Sequence, residues 1–309
     1  MLPLPWQETL WESLNSSIDN GRLPHAILIS GPSGIGKMRL AQALAQHLLC
    51  RAEMTKYACG SCKGCQLLAA GSHDDISSIE PEEPGKPIKV DTVRALIDSL
   101  SKTAHQGGWK VAIIAPAEAM NKSAYNALLK NLEEPQPKTL LILVSHRPSL
   151  LSATIRSRCQ KIAMPVPDSA VSSQWLTEVT GDQSAVDKVL FLAGGKPLLA
   201  LDYLQSDSLE ERQSFEELVA NVRAGNISPL DAAQKCQKLD ASQTIDWFCS
   251  YIHRLATTDL ADKPIPALFI FSAKLLQERN WVDCGNNPNP QLLWEELFMD
   301  WLMVFAARR

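Results

Sequence analysis

The stretch that decides the fold spans residues 26–37 and reads Ala26-Ile27-Leu28-Ile29-Ser30-Gly31-Pro32-Ser33-Gly34-Ile35-Gly36-Lys37. Its first five residues form a nearly all-apolar run, which is typical of a strand buried in a parallel sheet. The rest matches the phosphate-binding pattern G-x-x-x-x-G-K, placed between a predicted strand and a predicted helix. In such a P-loop the glycines let backbone N–H groups wrap a phosphate, and the lysine reaches its oxygens. The predicted nucleotide-binding residues are Gly31, Gly34, Gly36 and Lys37.

Strand-like and helix-like patterns alternate through the first half of the chain. Apolar residues predict strands at 111–115 and 139–144, and helices at 37–48, after Asp91, and at 122–132. Asp91 is expected to cap its helix, because a short acidic side chain can accept from a free N–H of the first turn. Strands alternating with helices at this spacing predict a parallel sheet with helices on both faces.

The pattern changes near Pro165 and is helical from there on, with Gly194-Gly195 between two short predicted helices. Four tryptophans in the last third predict an all-α core, because large aromatic side chains are mostly buried: Trp247, Trp281, Trp294 and Trp301. The fold class is therefore α/β plus all-α. The predicted domains are an α/β domain at 1–166 with an insert at about 50–75, a small helical lid at 167–206 and a helical domain at 207–309.

The composition excludes several classes of protein. The chain has 309 residues, of which 45% are hydrophobic and 21% charged, as in ordinary globular proteins. Lys and Arg number 30 against 34 for Asp and Glu, so the net charge of −4 excludes a wholly basic nucleic-acid binder. No apolar run approaches the roughly 18 residues of a membrane span, and residues 1–6 do not read as a secretory signal. We therefore expect a cytoplasmic protein with no membrane partner.

Half of the eight cysteines fall inside sixteen residues, at Cys50, Cys59, Cys62 and Cys65. In a cytosolic chain this clustering favours a metal site over disulfides. Four thiolates complete a tetrahedral zinc site and leave no open position, so the zinc is expected to be structural. An iron–sulfur cluster is the main alternative, because it also takes four thiolates. His73 is a candidate to replace one cysteine as a ligand, but we interpret it as a loop residue. The remaining cysteines, expected to be buried, are Cys159, Cys236, Cys249 and Cys284.

Two positions that ordinarily hold Mg²⁺ carry side chains that cannot bind it. The P-loop lysine is followed by Met38, where a Ser or Thr hydroxyl should ligate the ion. The strand at 110–114 ends in Ala115-Pro116, where acidic residues should stand, and Glu118 lies past the strand end and is expected to point elsewhere. Because phosphoryl transfer depends on the ion, we expect no Mg²⁺-dependent hydrolysis. Whether ATP or ADP still occupies the loop is left open.

Three further stretches stand out beside the P-loop, the preceding His25-Ala26 and the four-cysteine insert. They are Val90-Asp91-x-Val93-Arg94, Asn126-Ala127-Leu128-Leu129-Lys130-x-Leu132-Glu133-Glu134-Pro135 and Thr154-Ile155-x-Ser157-Arg158-Cys159. Together these elements resemble the clamp-loader branch of the AAA+ ATPases, and most of all its bacterial delta-prime subunits. The matching motifs lie close together between about residues 22 and 165. In the rest of the chain only the arrangement of predicted helices is similar.

The resemblance implies an AAA+ domain with a zinc-binding insert, a lid, and a helical collar domain that joins subunits. The family's gamma and tau subunits hydrolyse ATP with a P-loop Ser or Thr, an Asp-Glu pair and a lid arginine. Here Met38, Ala115-Pro116 and Gly195-Lys196-Pro197 occupy these places. The departures imply the non-hydrolysing delta-prime role. Ser145 stands where the family keeps a polar sensor residue.

In this family the arginine of Ser-Arg-Cys reaches the ATP site of the neighbouring subunit. The resemblance therefore implies that Arg158 acts in trans as an arginine finger, where a guanidinium stabilises charge on the transferring phosphoryl group. It also implies gamma/tau and delta as partners, and the sliding clamp and primer-template DNA as partners through the assembly. The chain would thus be part of the DNA polymerase III holoenzyme, but it has no recognisable nucleotidyl-transfer carboxylates, so no polymerase activity is expected.

Two other functions stay open from the sequence alone. A self-sufficient, gamma-like P-loop ATPase would need to hold Mg²⁺ without Met38 or Ala115. A zinc-dependent DNA-binding module with a vestigial nucleotide fold would need a basic, exposed zinc loop. The charged residues between Cys50 and Cys65 give this second function only a weak net charge of +2; they are Arg51, Glu53, Lys56 and Lys63.

Overall fold

The computed structural model describes residues 2–52, 56–83, 85–105, 108–183, 185–206, 208–258, 265–283 and 288–306. The chain forms two compact units, Met1–Leu201 and Asp202–Arg309. In the described parts of the chain, no helix is long and apolar enough to cross a membrane. Cys284, predicted to be buried, lies outside the described residues.

The first unit contains a parallel sheet and the helices that cover it. Its strands are β1 (Ala26–Ser30), β2 (Ile76–Ile79), β3 (Lys110–Ile114), β4 (Thr139–Ser145) and β5 (Gln160–Ala163). Its helices are α1 (Glu8–Asp19), α2 (Lys37–Leu49), α3 (Lys63–Ala69), α4 (Val90–Ser101), α5 (Lys122–Glu133), α6 (Ala153–Arg158), α7 (Ser169–Thr180), α8 (Val186–Leu192) and the start of α9 (Pro197–Gln205).

The sheet has the strand order β2-β3-β4-β1-β5, and every neighbouring pair is parallel. The central strands β1, β3 and β4 are almost entirely buried, which is why their apolar runs predict them. The apolar pattern does not predict the edge strands β2 and β5. No residue of β2 and only one residue of β5 is fully buried, and both strands include polar residues. The α/β fold class is confirmed.

Alternate residues of the central strands pack against helices on opposite faces of the sheet. Ile27 and Ile29 of β1 lie in a core cluster with side chains of α1 and α2. Leu28 lies in a second cluster with side chains of α4 and α5. These buried layers fix the carboxyl ends of β1, β3 and β4 at one edge, where ligands bind in open parallel sheets.

One predicted helix start is shifted in the structure. Lys89, rather than Asp91, is the N-cap residue of α4, so Asp91 lies inside the first turn. There its carboxylate still favours the positive end of the helix. The predicted helix at 122–132 is confirmed as α5, which ends at Glu133, two residues before Pro135. Gly194 and Gly195 separate α8 from α9, as predicted.

The second unit is helical throughout its described residues. Its helices are the end of α9, then α10 (Ser208–Ala224), α11 (Pro229–Cys236), α12 (Ala241–Thr257), α13 (Pro266–Asp283) and α14 (Pro290–Ala306). Trp247, Trp294 and Trp301 are buried in its core, as predicted. Trp281 was predicted to be a core residue, but it is 47% exposed, near the end of α13. Cys236 is buried in this unit and Cys249 half-buried.

Candidate functional site

The P-loop lies between β1 and α2, with its glycines in conformations that other residues rarely adopt. Gly36 is the N-cap of α2 and has a φ of +86°. A Cβ on Gly31 would collide with the backbone carbonyl of Met164, next to the end of β5. The loop therefore keeps the tight path that a phosphate-binding backbone requires, and the structure brings together the four predicted residues of this loop.

Donors from outside the loop hold its carbonyl groups. The indole Nε1 of Trp6 donates to the carbonyl of Ile35 at 2.9 Å, and Nε2 of the buried Gln7 donates to that of Gly36 at 2.8 Å. From the other side, the backbone N–H of Leu198 donates to the carbonyl of Gly34 at 3.0 Å. The loop is thus fixed by the segment before α1 and by the start of α9.

Lys37 is folded onto its own loop. Its Nζ donates to the carbonyl of Gly31 at 2.7 Å and to that of Pro32, and the residue is only 3% exposed. Burial lowers the pKa of Lys37 to about 8, against the opposing effect of Glu118; the nearby Lys196 lowers it further. Two cationic side chains therefore lie at the phosphate-binding loop.

Glu118 was expected to point away from the loop, but a short 3-10 turn, Ala117–Ala119, directs it to the end of β4. Its Oε1 accepts from the backbone N–H groups of His146 at 2.8 Å and Arg147 at 3.0 Å. Its Oε2 is buried with no hydrogen-bond partner, and its charge raises the pKa of Lys37. Glu118 thus belongs to the edge of the nucleotide fold, and only its position in an Ala-Glu-Ala turn beyond a buried strand hinted at this.

Two positions at this edge that usually supply Mg²⁺ ligands carry side chains without oxygen atoms. Met38 is half-buried and packs against the core beneath the loop, and Ala115 is 8% exposed at the end of β3. Neither side chain carries an oxygen. Ser145 is buried at the end of β4, where its carbonyl accepts from the N–H of Gly31 at 3.3 Å. The site has the shape of a nucleotide fold without the oxygen ligands of a Mg²⁺ site at these two positions.

The four clustered cysteines come together as predicted. Their sulfur atoms all lie within 4.8 Å of one another, with Cys50 Sγ 3.9 Å from Cys62 Sγ and Cys59 Sγ 4.0 Å from Cys65 Sγ. Sulfurs about 2.3 Å from a tetrahedral zinc ion lie about 3.8 Å apart, so these residues fit the ion. The cluster could hold a metal ion. His73 is not among the clustered ligand atoms, and its Nδ1 accepts from the N–H of Asp75 at 3.1 Å.

Backbone N–H groups in the cysteine cluster favour thiolates. The N–H of Cys62 donates to Cys59 Sγ at 3.3 Å, and this bond, with others from Ser61, lowers the pKa of Cys59 to about 6. Burial instead raises the pKa of Cys65 to about 12. A bound cation offsets that burial penalty, because a coordinated thiol is deprotonated outright.

The cysteine insert is attached to α1. Trp11 donates from Nε1 to the carbonyl of Lys56 at 2.9 Å, and its ring stacks on Tyr57 with centroids 5.9 Å apart. The Tyr57 hydroxyl donates to Glu8, and Lys56 forms ion pairs with Glu8 and Glu12. Lys56, one of the cations that a DNA-binding zinc loop would use, is therefore engaged within the chain.

Arg158 is the last residue of α6, next to the buried Cys159. Ile155 and Cys159 anchor this short helix in the core, while the Arg158 side chain is 35% exposed. Its Nη1 donates to the carbonyl of Thr154 at 3.1 Å, and its Nη2 lies 2.7 Å from Oε1 of Glu133. Neither of these two partners belongs to the P-loop.

Comparison with known proteins identifies the family. A family model described as DNA polymerase III, delta subunit, matches residues 6–168. The DNA polymerase III subunit delta' of Pseudomonas aeruginosa is 40% identical over an alignment of 319 positions, which covers 96% of this chain and 96% of that protein. The chain belongs to the delta-prime subunit family of DNA polymerase III. Another delta-prime subunit, from Escherichia coli strain K12, is 37% identical over an alignment that covers 74% of this chain and 69% of that protein.

The delta-prime family is related to the tau/gamma subunits of the same polymerase. The tau/gamma subunit of Haemophilus influenzae is 29% identical over 70% of this chain but only 32% of its own length. Among solved structures, a gamma subunit-related protein from Thermotoga maritima has a TM-score of 0.50 at 17% identity, and covers 95% of this chain and 98% of that one. This likeness supports the fold assignment alone.

Proposed function

We propose that this chain is a non-hydrolysing subunit of the sliding-clamp loader of DNA polymerase III, which completes a neighbouring subunit's ATP site with Arg158. The clamp-loader role follows from membership of the delta-prime family. The observation that carries the specific proposal is the contrast between two sites. The chain's own P-loop lacks oxygen ligands at Met38 and Ala115, whereas Arg158 presents a partly exposed guanidinium elsewhere.

The intrinsic site supports nucleotide binding better than hydrolysis. Lys37 and Lys196 place positive charge at a fixed loop, which suits the phosphates of ATP or ADP. Hydrolysis also needs a coordinated Mg²⁺ and an oriented water, and no oxygen ligand stands at either usual position. The arginine finger, in contrast, needs only a guanidinium that another molecule can reach.

The partners proposed for this chain are gamma/tau and delta, with the sliding clamp and primer-template DNA contacted through the assembly. Support comes from the second unit, proposed to be the collar, where large apolar side chains of α13 and α14 are exposed. They are Phe269, Ile270, Leu276, Trp281, Leu292, Met299 and Met303. Exposed apolar surface of this kind marks sites of protein association. We further propose the three-part division at 1–166, 167–206 and 207–309, and the cytoplasm as compartment.

Zinc is proposed as the structural metal of the insert, held by Cys50, Cys59, Cys62 and Cys65. The sulfur spacing supports one ion rather than a cubane cluster, whose thiolates bind separate irons and so lie farther apart. Bound zinc would fold the insert into a closed knuckle, and the residues around Trp11 would attach that knuckle to α1. The metal would supply folding energy and no catalytic chemistry.

The test is ATP turnover, stimulated by clamp and DNA, in a loader reconstituted with and without this chain, with the isolated chain as a blank. We expect turnover to require the chain and the blank to be inactive. A blank that hydrolyses ATP would instead support the gamma-like motor. Salt-sensitive DNA binding by the isolated chain would support the zinc-dependent DNA-binding module, although Lys56 is already paired with Glu8 and Glu12.

A further inference from the structure

Glu133 is the last residue of α5 and belongs to the stretch Leu132-Glu133-Glu134-Pro135. This stretch is part of neither the P-loop nor the cysteine cluster. Its Oε1 lies 2.7 Å from Nη2 of Arg158. We propose that Glu133 is a positioning residue, which holds the Arg158 guanidinium in the orientation that reaches the phosphates of the neighbouring subunit's ATP. This inference rests on the finger role proposed above and names the residue that prepares the finger.

Arg158 is held by two contacts from different elements. One Nη donates to the carbonyl of Thr154, four residues earlier in α6, which also accepts from the hydroxyl of Ser157. The other Nη pairs with Glu133 of α5. A guanidinium has five N–H donors, and these two contacts leave the others available for a phosphate. The long side chain is therefore ordered while part of its binding capacity stays free.

The location of Glu133 is unfavourable for its own helix. A carboxylate at the last residue of a helix faces the negative end of the helix dipole, where a cation would be stabilising. Pro135 contributes to ending α5 here, because the residue before a proline is disfavoured in helical conformation; Glu134 has φ −126° and ψ 72°. The nearby guanidinium of Arg158 offsets this cost. The same pairing fixes both side chains between α5 and α6.

The exposure of the pair fits a positioning role better than a purely structural one. The side chains are 35% exposed for Arg158 and 51% exposed for Glu133. An ion pair this exposed adds little to the stability of the fold. Ordering an arginine before its ligand arrives, however, reduces the conformational entropy that binding must remove. It also keeps the charged group close to its reacting geometry.

The test uses the loader reconstituted from this chain, its gamma/tau and delta partners, the clamp and primer-template DNA, in single-turnover ATP hydrolysis. Glu133→Ala should slow the affected site's hydrolysis about 3–10-fold, with the ATP concentration for half-saturation unchanged. Glu133→Gln keeps an oxygen acceptor for Arg158 and should restore most of the rate. Glu134→Ala removes the adjacent exposed carboxylate and should have no effect. Assembly of each variant is checked by size-exclusion chromatography.

A double-mutant cycle separates positioning from a general structural effect. If Glu133 acts through Arg158, Glu133→Ala should cause no further loss in the Arg158→Ala background. A loss that persists in that background, or a rate that rises with Glu133→Ala, would overturn the inference. If Arg158→Ala slows hydrolysis but Glu133→Ala does not, only the positioning role fails. If Arg158→Ala itself has no effect, the proposed finger fails and the positioning role fails with it.

Discussion

The backbone N–H of Leu198 donates a 3.0 Å hydrogen bond to the carbonyl of Gly34, so the start of α9 is fastened to the P-loop. A Cβ on Gly34 would lie 3.0 Å from Cβ of Leu199, which leaves no room for a larger residue there. The start of α9 and the loop are therefore in direct contact within the first unit. This contact ties the path of the loop to the position of α9.

The buried Lys37 should make stability depend on pH. Its pKa is about 8 in the folded chain and 10.5 for the free group, so between these values the unfolded state binds more protons. The contribution of Lys37 to stability therefore rises with pH across this window, and below pH 8 the buried charge carries its full penalty. Lys37→Met removes the charge. The melting temperature of the variant relative to the wild type should be highest below pH 8 and fall by about 2–4 °C towards pH 10.

Thermal unfolding followed by circular dichroism across this pH range checks the Lys37 prediction. Lys130→Met, at an exposed position of α5, controls for the general effect of removing a lysine. A difference between Lys37→Met and wild type that stays constant with pH would contradict the buried, shifted amine.

The cysteine cluster should bind about one zinc ion per chain. Cys59→Ser removes one of four thiolates, so zinc content measured by plasma mass spectrometry should fall by more than half, and protease sensitivity near residues 50–70 should rise. Cys249→Ser, a half-buried thiol outside the cluster, should keep the full zinc content. Purified chain that contains iron and labile sulfide in place of zinc would support the iron–sulfur alternative.

Gly64 lies between two of the clustered cysteines and has no space for a side chain. A Cβ there would lie 2.5 Å from the carbonyl oxygen of Leu49, a backbone atom at the end of α2. Gly64→Ala should lower the free energy of unfolding by about 1–3 kcal/mol, because the backbone must shift. Gly108→Ala, where no atom lies within 4 Å of the added Cβ, is the matched control. Equal effects of the two substitutions in urea unfolding would refute the proposed clash.

Glu216 should be essential for the second unit, because it compensates a buried charge. Arg212 is 3% exposed, with Nε 2.9 Å from Oε1 of Glu216, and Arg254 pairs with the other carboxylate oxygen. Glu216→Ala leaves the Arg212 charge buried without its carboxylate, which should cost about 3–5 kcal/mol of unfolding free energy. The exposed Glu217→Ala should stay within about 0.5 kcal/mol of the wild type. A loss of less than about 1 kcal/mol for Glu216→Ala in denaturant unfolding would show that this charge needs no partner.

The sites that could be predicted from sequence are those built from neighbouring residues. The P-loop spans Gly31 to Lys37, and the cysteine cluster spans Cys50 to Cys65, so spacing alone brings each set together. The buried central strands were equally predictable, because their apolar runs have no polar face. The edge strand β5 was not, since three of its four residues are exposed.

The residues that sequence did not predict depend on tertiary contacts. Glu118 reaches the end of β4 only because of the turn at Ala117–Ala119, and no local pattern fixes the direction of that turn. The pairing of Glu133 with Arg158 joins two helices that are twenty-five positions apart at these residues. Trp281 was assigned to the core by its type, but its position near the end of α13 leaves it half exposed. Such features follow from packing rather than from spacing.

The central claim is that Arg158 completes another subunit's ATP site, and single-turnover hydrolysis in the reconstituted loader tests it most directly. Arg158→Ala should slow hydrolysis at one ATP site by about 10³-fold or more. That site then no longer contributes to the fast phase, so the amplitude of the fast phase should fall by the fraction that one site supplies. The loader should stay assembled. Arg94→Ala, an exposed arginine paired with Asp91, is the control. A fast phase unchanged in rate and amplitude with Arg158→Ala would contradict the finger and leave the chain a scaffold.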